Sequence, residues 1–292
     1  MRFGIREICN VVFKATVKDQ KVGSKIFAKG QPVIYFDSLK TSTMEQATTT
    51  VYAQGGRGNT RLVAWEGEKT LTFTMEDALI SEMGLAILAG ANLYNPNSKA
   101  GNEKDKNSLL VHVVETISGD AEVSKVPADV ADRGIQHYSI ELNSDGEIEG
   151  DPTVVEFTGN KPNGLDAAKV YLIDYYTVNT SDKSCQIDIE PGCFGGNFYI
   201  EADTLFRDTH GVDHAAQFII PNGKVQSNFT FTMASSGDPS TFTFTVDAFP
   251  GYVNGDMSKK VMSAIQIIDD TDVSVSVDDP AGDLEDSKPS VK

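Results

Sequence analysis

The heptapeptide Phe242-Thr-Phe-Thr-Val-Asp-Ala248 alternates apolar and polar side chains at every position. This period of two predicts a β-strand with one face on a hydrophobic core and the other in water. Leu71-Thr-Phe-Thr-Met75 and Phe229-Thr-Phe-Thr-Met233 repeat the pattern. Ser, Gly and Pro lie between the second and third of these strands along the chain, so we expect residues 229–248 to form a hairpin.

Weaker signals of the same kind recur along the chain, and they predict a mainly β protein with many short strands. A single helix is indicated, beginning after Ser81 as its N-terminal cap and ending at Gly90. The further predicted strands are 11–17, 32–39, 48–54, 61–65, 109–116, 138–142, 169–178, 185–189, 197–202 and 216–220.

The 292 residues include 25 Lys and Arg and 42 Asp and Glu, for a formal charge of −17. This balance disfavours proteins that bind phosphate backbones, because these need clustered basic side chains. Solubility is the simpler explanation of the acidic charge.

The three cysteines have no CxxC spacing. No stretch has the length and apolarity of a signal peptide or membrane helix.

Polar stretches at 94–107 and 179–184 predict the domain boundaries. We expect a discontinuous β core formed by 1–105 and 181–268, with a small β module inserted at 106–180. From residue 269 to the end, eight acidic residues face two lysines, and this 269–292 tail is expected to be partly disordered.

No catalytic signature is recognisable, so an enzyme is the least favoured class, and no cofactor is expected. His210 and His214 are spaced for metal binding on a helix, but Gly211 between them favours a loop, and no third ligand is evident. The glycine-rich run 54–60 does not fit a phosphate-binding motif. It is interpreted as a tight connection between two strands.

Two blocks together resemble the tail tube proteins of large contractile-tailed bacteriophages. The first runs from Phe36-Asp-Ser-Leu-Lys through Thr48-Thr-Thr-Val-Tyr to Met75, and the second from Gly195-Gly-Asn-Phe-Tyr through Phe218-Ile-Ile-Pro to Asp247. The resemblance covers about residues 1–92 and 183–252. Residues 169–176 between the blocks look like an accessory β module of phage structural proteins.

The resemblance implies a β-sandwich or half-barrel with one short flanking helix, found in the virion tail and in host cytoplasm during assembly. It further implies homohexameric rings that stack into a tube, and DNA that passes through the lumen without specific binding. The implied partners are the tail sheath, baseplate and tail terminator proteins, with no membrane. Contacts between subunits and between rings are expected at Thr41, Thr43, Met44, Gln46, Thr48, Tyr52, Arg57, Arg61 and Trp65.

Two other classes stay open on the sequence. The main alternative is another β-rich virion component, such as a capsid decoration or baseplate protein. A carbohydrate-binding module is less favoured, because Trp65 is the only tryptophan available for sugar stacking, and core packing is the commoner role of a tryptophan in a strand.

Overall fold

A computed structural model describes residues 2–23, 25–94, 109–179, 181, 184–230, 233, 235–236 and 240–268. The chain forms two compact units. The first is built from residues 1–20, 26–80 and 195 onward, and the second from residues 21–25 and 81–194. The second unit therefore contains the predicted 106–180 module together with chain on both sides of it. The predicted linker at 94–107, apart from Tyr94, and the acidic tail lie outside the described residues.

The first unit is dominated by a nine-stranded antiparallel sheet with the order β5-β2-β16-β17-β18-β7-β6. Strand β1 pairs with β16, and β19 pairs with β17, beside this path. The strands are β1 (Phe3–Ile5), β2 (Asn10–Ala15), β5 (Pro32–Phe36), β6 (Leu39–Gly55), β7 (Thr60–Asp77), β16 (Asn197–Asp208), β17 (Asp213–Val225), β18 (Phe242–Ala248) and β19 (Ala264–Ile268). Strands β3 (Gln20–Val22) and β4 (Lys25–Phe27) form a separate short pair.

An aromatic cluster explains how this sheet curls around a core. Alternate residues of β2, β16, β7 and β18 are buried, as the period of two predicts. Phe36 on β5, at one end of the strand order, lies 4.9 Å from Phe244 on β18 between ring centroids. Phe13 bridges to Phe36 at 5.2 Å. Because strands distant in the sheet order share one aromatic core, the sheet is bent into a half-barrel.

The second unit contains the helix α1 (Glu82–Ala89), which begins and ends where the sequence predicts. The Ser81 hydroxyl accepts a hydrogen bond from the Gly84 amide at 3.0 Å. Gly90 ends the helix with a φ of +64°, and a Cβ at this position would lie 2.3 Å from the Phe194 carbonyl carbon. Both the positive φ and the close approach require glycine here. Within its unit the helix lies against β8 (Asn92–Tyr94) and β15 (Gln186–Asp188), which pair with each other.

A four-stranded antiparallel sheet with the order β11-β10-β14-β9 forms the rest of the second unit. Its small core consists of Val123, Tyr171, Ile173 and Tyr175. Its strands are β9 (Leu109–Ser118), β10 (Tyr138–Leu142), β11 (Thr153–Val154) and β14 (Val170–Asn179), accompanied by the pair β12 (Phe157–Thr158) and β13 (Lys161–Pro162) and a 3-10 turn at Ala131–Arg133.

Tyr175 joins this small core to a polar network. Its buried hydroxyl donates to Glu115 Oε1 at 2.7 Å and accepts from the Lys125 amide at 3.1 Å. Burial raises the pKa of Glu115, but hydrogen bonds from Ser124 and Tyr175 outweigh this effect and hold the pKa below its usual value. The network therefore favours the ionised carboxylate.

The predicted strand 229–233 is wrong. Phe229, Thr230 and Met233, the residues of this stretch that the structure describes, lie outside any strand. The expected hairpin fails because both neighbours of β18 are other strands. One edge of β18 pairs with β7, and the last residues of β18 pair with β17. No helix in the described part of the chain is long and apolar enough to span a bilayer.

Candidate assembly surface

The hairpin of β6 and β7 is twice as long as the sequence predicts. The strands predicted at 61–65 and 71–75 are one strand, and residues 48–54 are the distal part of β6. The two strands stay paired from Leu39 opposite Asp77 to Gly55 opposite Thr60, and the register shifts at bulges along the way. Near the sheet, Leu71, Phe73 and Met75 of β7 are buried. Every residue of β7 before Leu71 is exposed, so half of the hairpin projects beyond the core.

A β-bulge separates the two halves of the hairpin. Thr48 pairs with Lys69 and Thr50 with Glu66, which leaves one residue between the pairs on β6 and two on β7. The Thr49 hydroxyl accepts a hydrogen bond from the Glu68 amide at 2.8 Å. A Cβ on Gly67 would lie 2.6 Å from this hydroxyl oxygen. A side chain at position 67 would have to displace this hydroxyl, so the bulge favours glycine there, and it bends the ladder where the distal half begins.

The tip of the hairpin is the glycine-rich loop 54–60, and its predicted role as a strand connection is confirmed. Gly56 and Gly58 have φ values of +78° and +96°, and Asn59 has +48°. The Asn59 amide donates to the Gly56 carbonyl at 3.2 Å. These positive φ angles explain the composition of the loop. Arg57 is exposed at the tip.

We name the distal half, residues 49–67, the ribbon. Its register gives it two unlike faces, because side chains opposite each other in a ladder lie on the same face. Val51 is opposite Trp65, and Ala53 is opposite Val63, so these four residues form an apolar face. The other face is more polar. There the Arg61 guanidinium carbon stacks 4.1 Å from the centroid of the Tyr52 ring.

The apolar face of the ribbon is uncovered. Val51 is 64% exposed, Trp65 56% and Val63 49%. Trp65 does not have the core-packing role that is commoner for a strand tryptophan, and its expected role in contacts between subunits stays a prediction. An isolated two-stranded hairpin is only marginally stable in water, and a solvated strand pair normally lacks an apolar face. An exposed apolar face on a projecting ribbon is typical of a protein–protein contact.

The structure distributes the sequence-predicted contact residues over the whole hairpin. Tyr52, Arg57, Arg61 and Trp65 lie on the ribbon, and Thr48 adjoins the bulge. Thr41 and Thr43 are exposed at the base, while Met44 and Gln46 line a groove. The sequence analysis missed Val51 and Val63. Val51 and Val63 alternate in the sequence with residues of the more polar face, so their shared face was predictable. The sequence does not show how far the exposed ribbon extends.

An apolar groove lies at the base of the hairpin, within the first unit. Its volume is about 630 Å³. Leu71, Phe73 and the buried Cys9 are the most enclosed parts of its lining, and burial raises the pKa of the Cys9 thiol. Met44 and Phe218 are half-buried in the lining, while Ile5 and Ile265 are exposed there. Glu7 and Lys69 are its charged residues.

The outer edge of β6 is a second feature of this surface. Among the described strands β6 pairs with β7 alone, and β6 stands last in the sheet order. An edge of this kind presents main-chain donors and acceptors to a further strand. The hairpin therefore offers an apolar ribbon, a groove and a strand edge along one element.

His210 and His214 lie at the turn between β16 and β17, and their surroundings explain the turn. Asp208 Oδ2 lies 3.5 Å from His210 Nδ1 and 3.6 Å from His214 Nε2. The same carboxylate accepts main-chain hydrogen bonds from His210 and Val212, and these bonds lower its pKa. Within the described residues, no group of three or more His, Cys, Asp or Glu side chains is arranged to hold a metal ion. Asp208 organises the turn instead.

The model of the YomU/Tube protein family matches residues 12–263. This match spans most of the chain, from β2 to the segment before β19, and includes the whole hairpin. The chain belongs to this family. It is a tube-type structural protein of a phage virion. No curated protein matches the chain.

Proposed function

We propose that the protein is the tail tube subunit of a contractile-tailed phage, and that six copies form a ring that stacks into a hollow tube for DNA ejection. The observation that carries this proposal is the projecting hairpin. It combines an exposed apolar ribbon with a free strand edge on a chain of the tube family.

A ring of identical subunits needs two different, complementary patches on each copy, since contacts of this type close into a ring or extend as a helix. The outer edges of β6 and β5 supply patches of this kind. Strand β6 ends the sheet order on one side and β5 ends it on the other. Pairing of β6 with the β5 edge of a neighbour would continue the sheet from copy to copy.

The charge of −17 suits a conduit for DNA. An acidic wall offers no phosphate contacts, so DNA slides along it without binding. The contractile type rests on the resemblance of residues 36–75 and 195–247 to tube proteins of such phages. A tube of this type has the sheath around it, the baseplate at one end and the terminator at the other, and these are the proposed partners.

Electron microscopy of the purified full-length protein tests the proposal. We expect hollow tubes or rings with sixfold symmetry, either spontaneously at high concentration or after addition of tail nucleating complexes. A protein that remains monomeric under both conditions would contradict the proposal that it is a tube subunit. Attachment of single copies to capsids or to baseplates, without tubes, would instead identify another virion component.

The symmetry of the rings is a separate measurement. Top views or cryo-EM averages with a number of subunits other than six would reject the hexamer while keeping the tube. A lumen lined mainly by Lys and Arg would reject the proposed role of the acidic charge, because basic side chains would bind DNA phosphates and slow ejection.

A further inference from the structure

We propose that the apolar face of the ribbon docks into the groove at the hairpin base of another copy of this chain. This inference rests on the proposed function and deepens it, because it names the two surfaces that meet. The donor is the face of Val51, Val63 and Trp65, and the acceptor is the groove between Met44 and Phe218.

The ribbon cannot reach the groove of its own chain. Met44 and Leu71 line the groove, and they belong to the same hairpin as the ribbon. Val51 lies seven residues beyond Met44, which corresponds to roughly 23 Å along a strand. Folding back would break the ladder that pairs β6 with β7 throughout. A ribbon that docks in the groove must therefore come from a second molecule.

The two surfaces match in chemistry. The ribbon face carries no charge at Val51, Ala53, Val63 or Trp65, and the groove contains one acidic and one basic residue, Glu7 and Lys69. Two copies that each carry −17 would repel at most surfaces. Contact between a neutral apolar face and a groove without net charge avoids this repulsion.

The size of the contact explains why it needs an assembly. One Trp and two Val side chains bury roughly 300 Å² on the donor, well below the ~800 Å² per partner of a standard stable interface. A single contact is therefore weak. In a closed ring every copy donates one ribbon and receives one, so many weak contacts form together.

Disulfide trapping between mixed copies tests this pairing directly. One variant carries Met44→Cys and the other Ala53→Cys, which places the thiol on the apolar face and retains Trp65, each with Cys9→Ser, Cys185→Ser and Cys193→Ser to remove the native thiols. We expect linked dimers, one copy of each variant, when the two variants are mixed under assembly conditions, because each copy carries a single thiol. Neither variant alone is expected to link, because a disulfide needs Cα atoms about 5.5 Å apart.

Substitution provides an independent measurement. Trp65→Ser is expected to raise the protein concentration needed for tube formation at least tenfold, because aromatic residues at interface centres carry much of the binding energy. Tyr52→Ser is the matched control on the opposite face of the same ribbon, and its expected change is less than twofold. Met44→Lys, in the acceptor, should match Trp65→Ser.

The outcomes separate the inference from the proposed function. Links formed by the Ala53→Cys variant alone would show that ribbons pair with ribbons, and would overturn the docking. Tubes that form without mixed links, or that tolerate Trp65→Ser, would also overturn it while leaving the tube subunit intact. If the parent protein forms no tubes or rings, the proposed function itself fails. Circular dichroism of each variant shows whether it is folded.

Discussion

The two halves of the β6–β7 hairpin have similar sequence patterns and opposite surroundings. In the base, Leu71, Phe73 and Met75 alternate with threonines, and all three are buried. In the ribbon, Val63 and Trp65 alternate with Ala64 and Glu66, and they are exposed. The base has β18 as a further neighbour, whereas among the described strands the two strands of the ribbon pair only with each other.

This difference teaches that alternation defines an apolar face but not what covers it. In the base, the core of the same chain covers the apolar face. In the ribbon, no described residue covers the apolar face. An apolar face is retained at a cost in solubility, so a face on a projecting element indicates a partner. The base should therefore contribute to folding and the ribbon to assembly.

The largest expected effect tests the folding role of the base. Phe73→Ala removes a side chain that is 2% exposed, and the cavity should lower the free energy of unfolding by about 3–5 kcal/mol. Urea denaturation followed by circular dichroism measures the change. Thr74→Ala, on the other face of the same strand, is the control and should cost less than about 1 kcal/mol. Equal losses in both variants would remove the distinction between the faces.

A smaller effect is expected at the bulge that separates the halves. In Gly67→Ala the added methyl group displaces the Thr49 hydroxyl and breaks its bond to the Glu68 amide, at a local cost of about 1 kcal/mol. Amide hydrogen exchange in the ribbon should accelerate about fivefold, which is the equivalent of that energy. Residues 71–77 should be unaffected.

The matched variant for this test is the double substitution Gly67→Ala with Thr49→Ala. This double variant also lacks the hydrogen bond, but it has no steric conflict. Its exchange rates therefore separate the effect of the lost hydrogen bond from the effect of the steric conflict. Acceleration that extends equally through the base would mean that the two halves open as one unit.

Shortening the hairpin should have a still smaller effect on stability. Replacing residues 49–68 by Asn-Gly joins Thr48 to Lys69, which already face each other in the ladder, through a two-residue turn. Because the removed residues are almost all exposed, the free energy of unfolding should change by less than about 1 kcal/mol. Tube formation should be lost. A large loss of stability would show that the ribbon packs on its own subunit.

The smallest effect concerns thiol chemistry and leaves stability unchanged. Burial raises the pKa of Cys9, so at a given pH it holds less of the reactive thiolate than an ordinary cysteine. In a Cys185→Ser, Cys193→Ser chain, Cys9 should react with iodoacetamide at least tenfold more slowly than a cysteine placed at Val63 on the ribbon. Similar rates for the two thiols would mean that Cys9 is accessible through the groove.

The sequence predicted the class of fold because alternation is a local property. The strands at β2, β10, β14 and β18 and the capped helix follow from side chains a few residues apart. The pairing of strands is not local. Residues 229–233 alternate as clearly as β18, but the structure pairs β18 with β7 and β17 instead.

The same limit applies to the candidate assembly surface. The glycines at 56 and 58 mark the tip of the hairpin, so its position was predictable. The exposure of Trp65 was not, because burial depends on whether distant chain covers a face. The groove was not predictable either, since Met44 and Phe218 are brought together only by the curling of the sheet.

The ion pair between Lys14 of β2 and Glu201 of β16 joins residues on opposite sides of the second unit in the sequence. During synthesis, β2, β6 and β7 leave the ribosome first, and β16, which pairs with β2, follows only after residues 81–194. Unit 2 is by then complete and can fold as its own segment, as domains generally do on the ribosome. The half-barrel cannot form until β16, β17 and β18 have been synthesised. In that interval the apolar sides of β2 and β7 lack their core and are exposed to water.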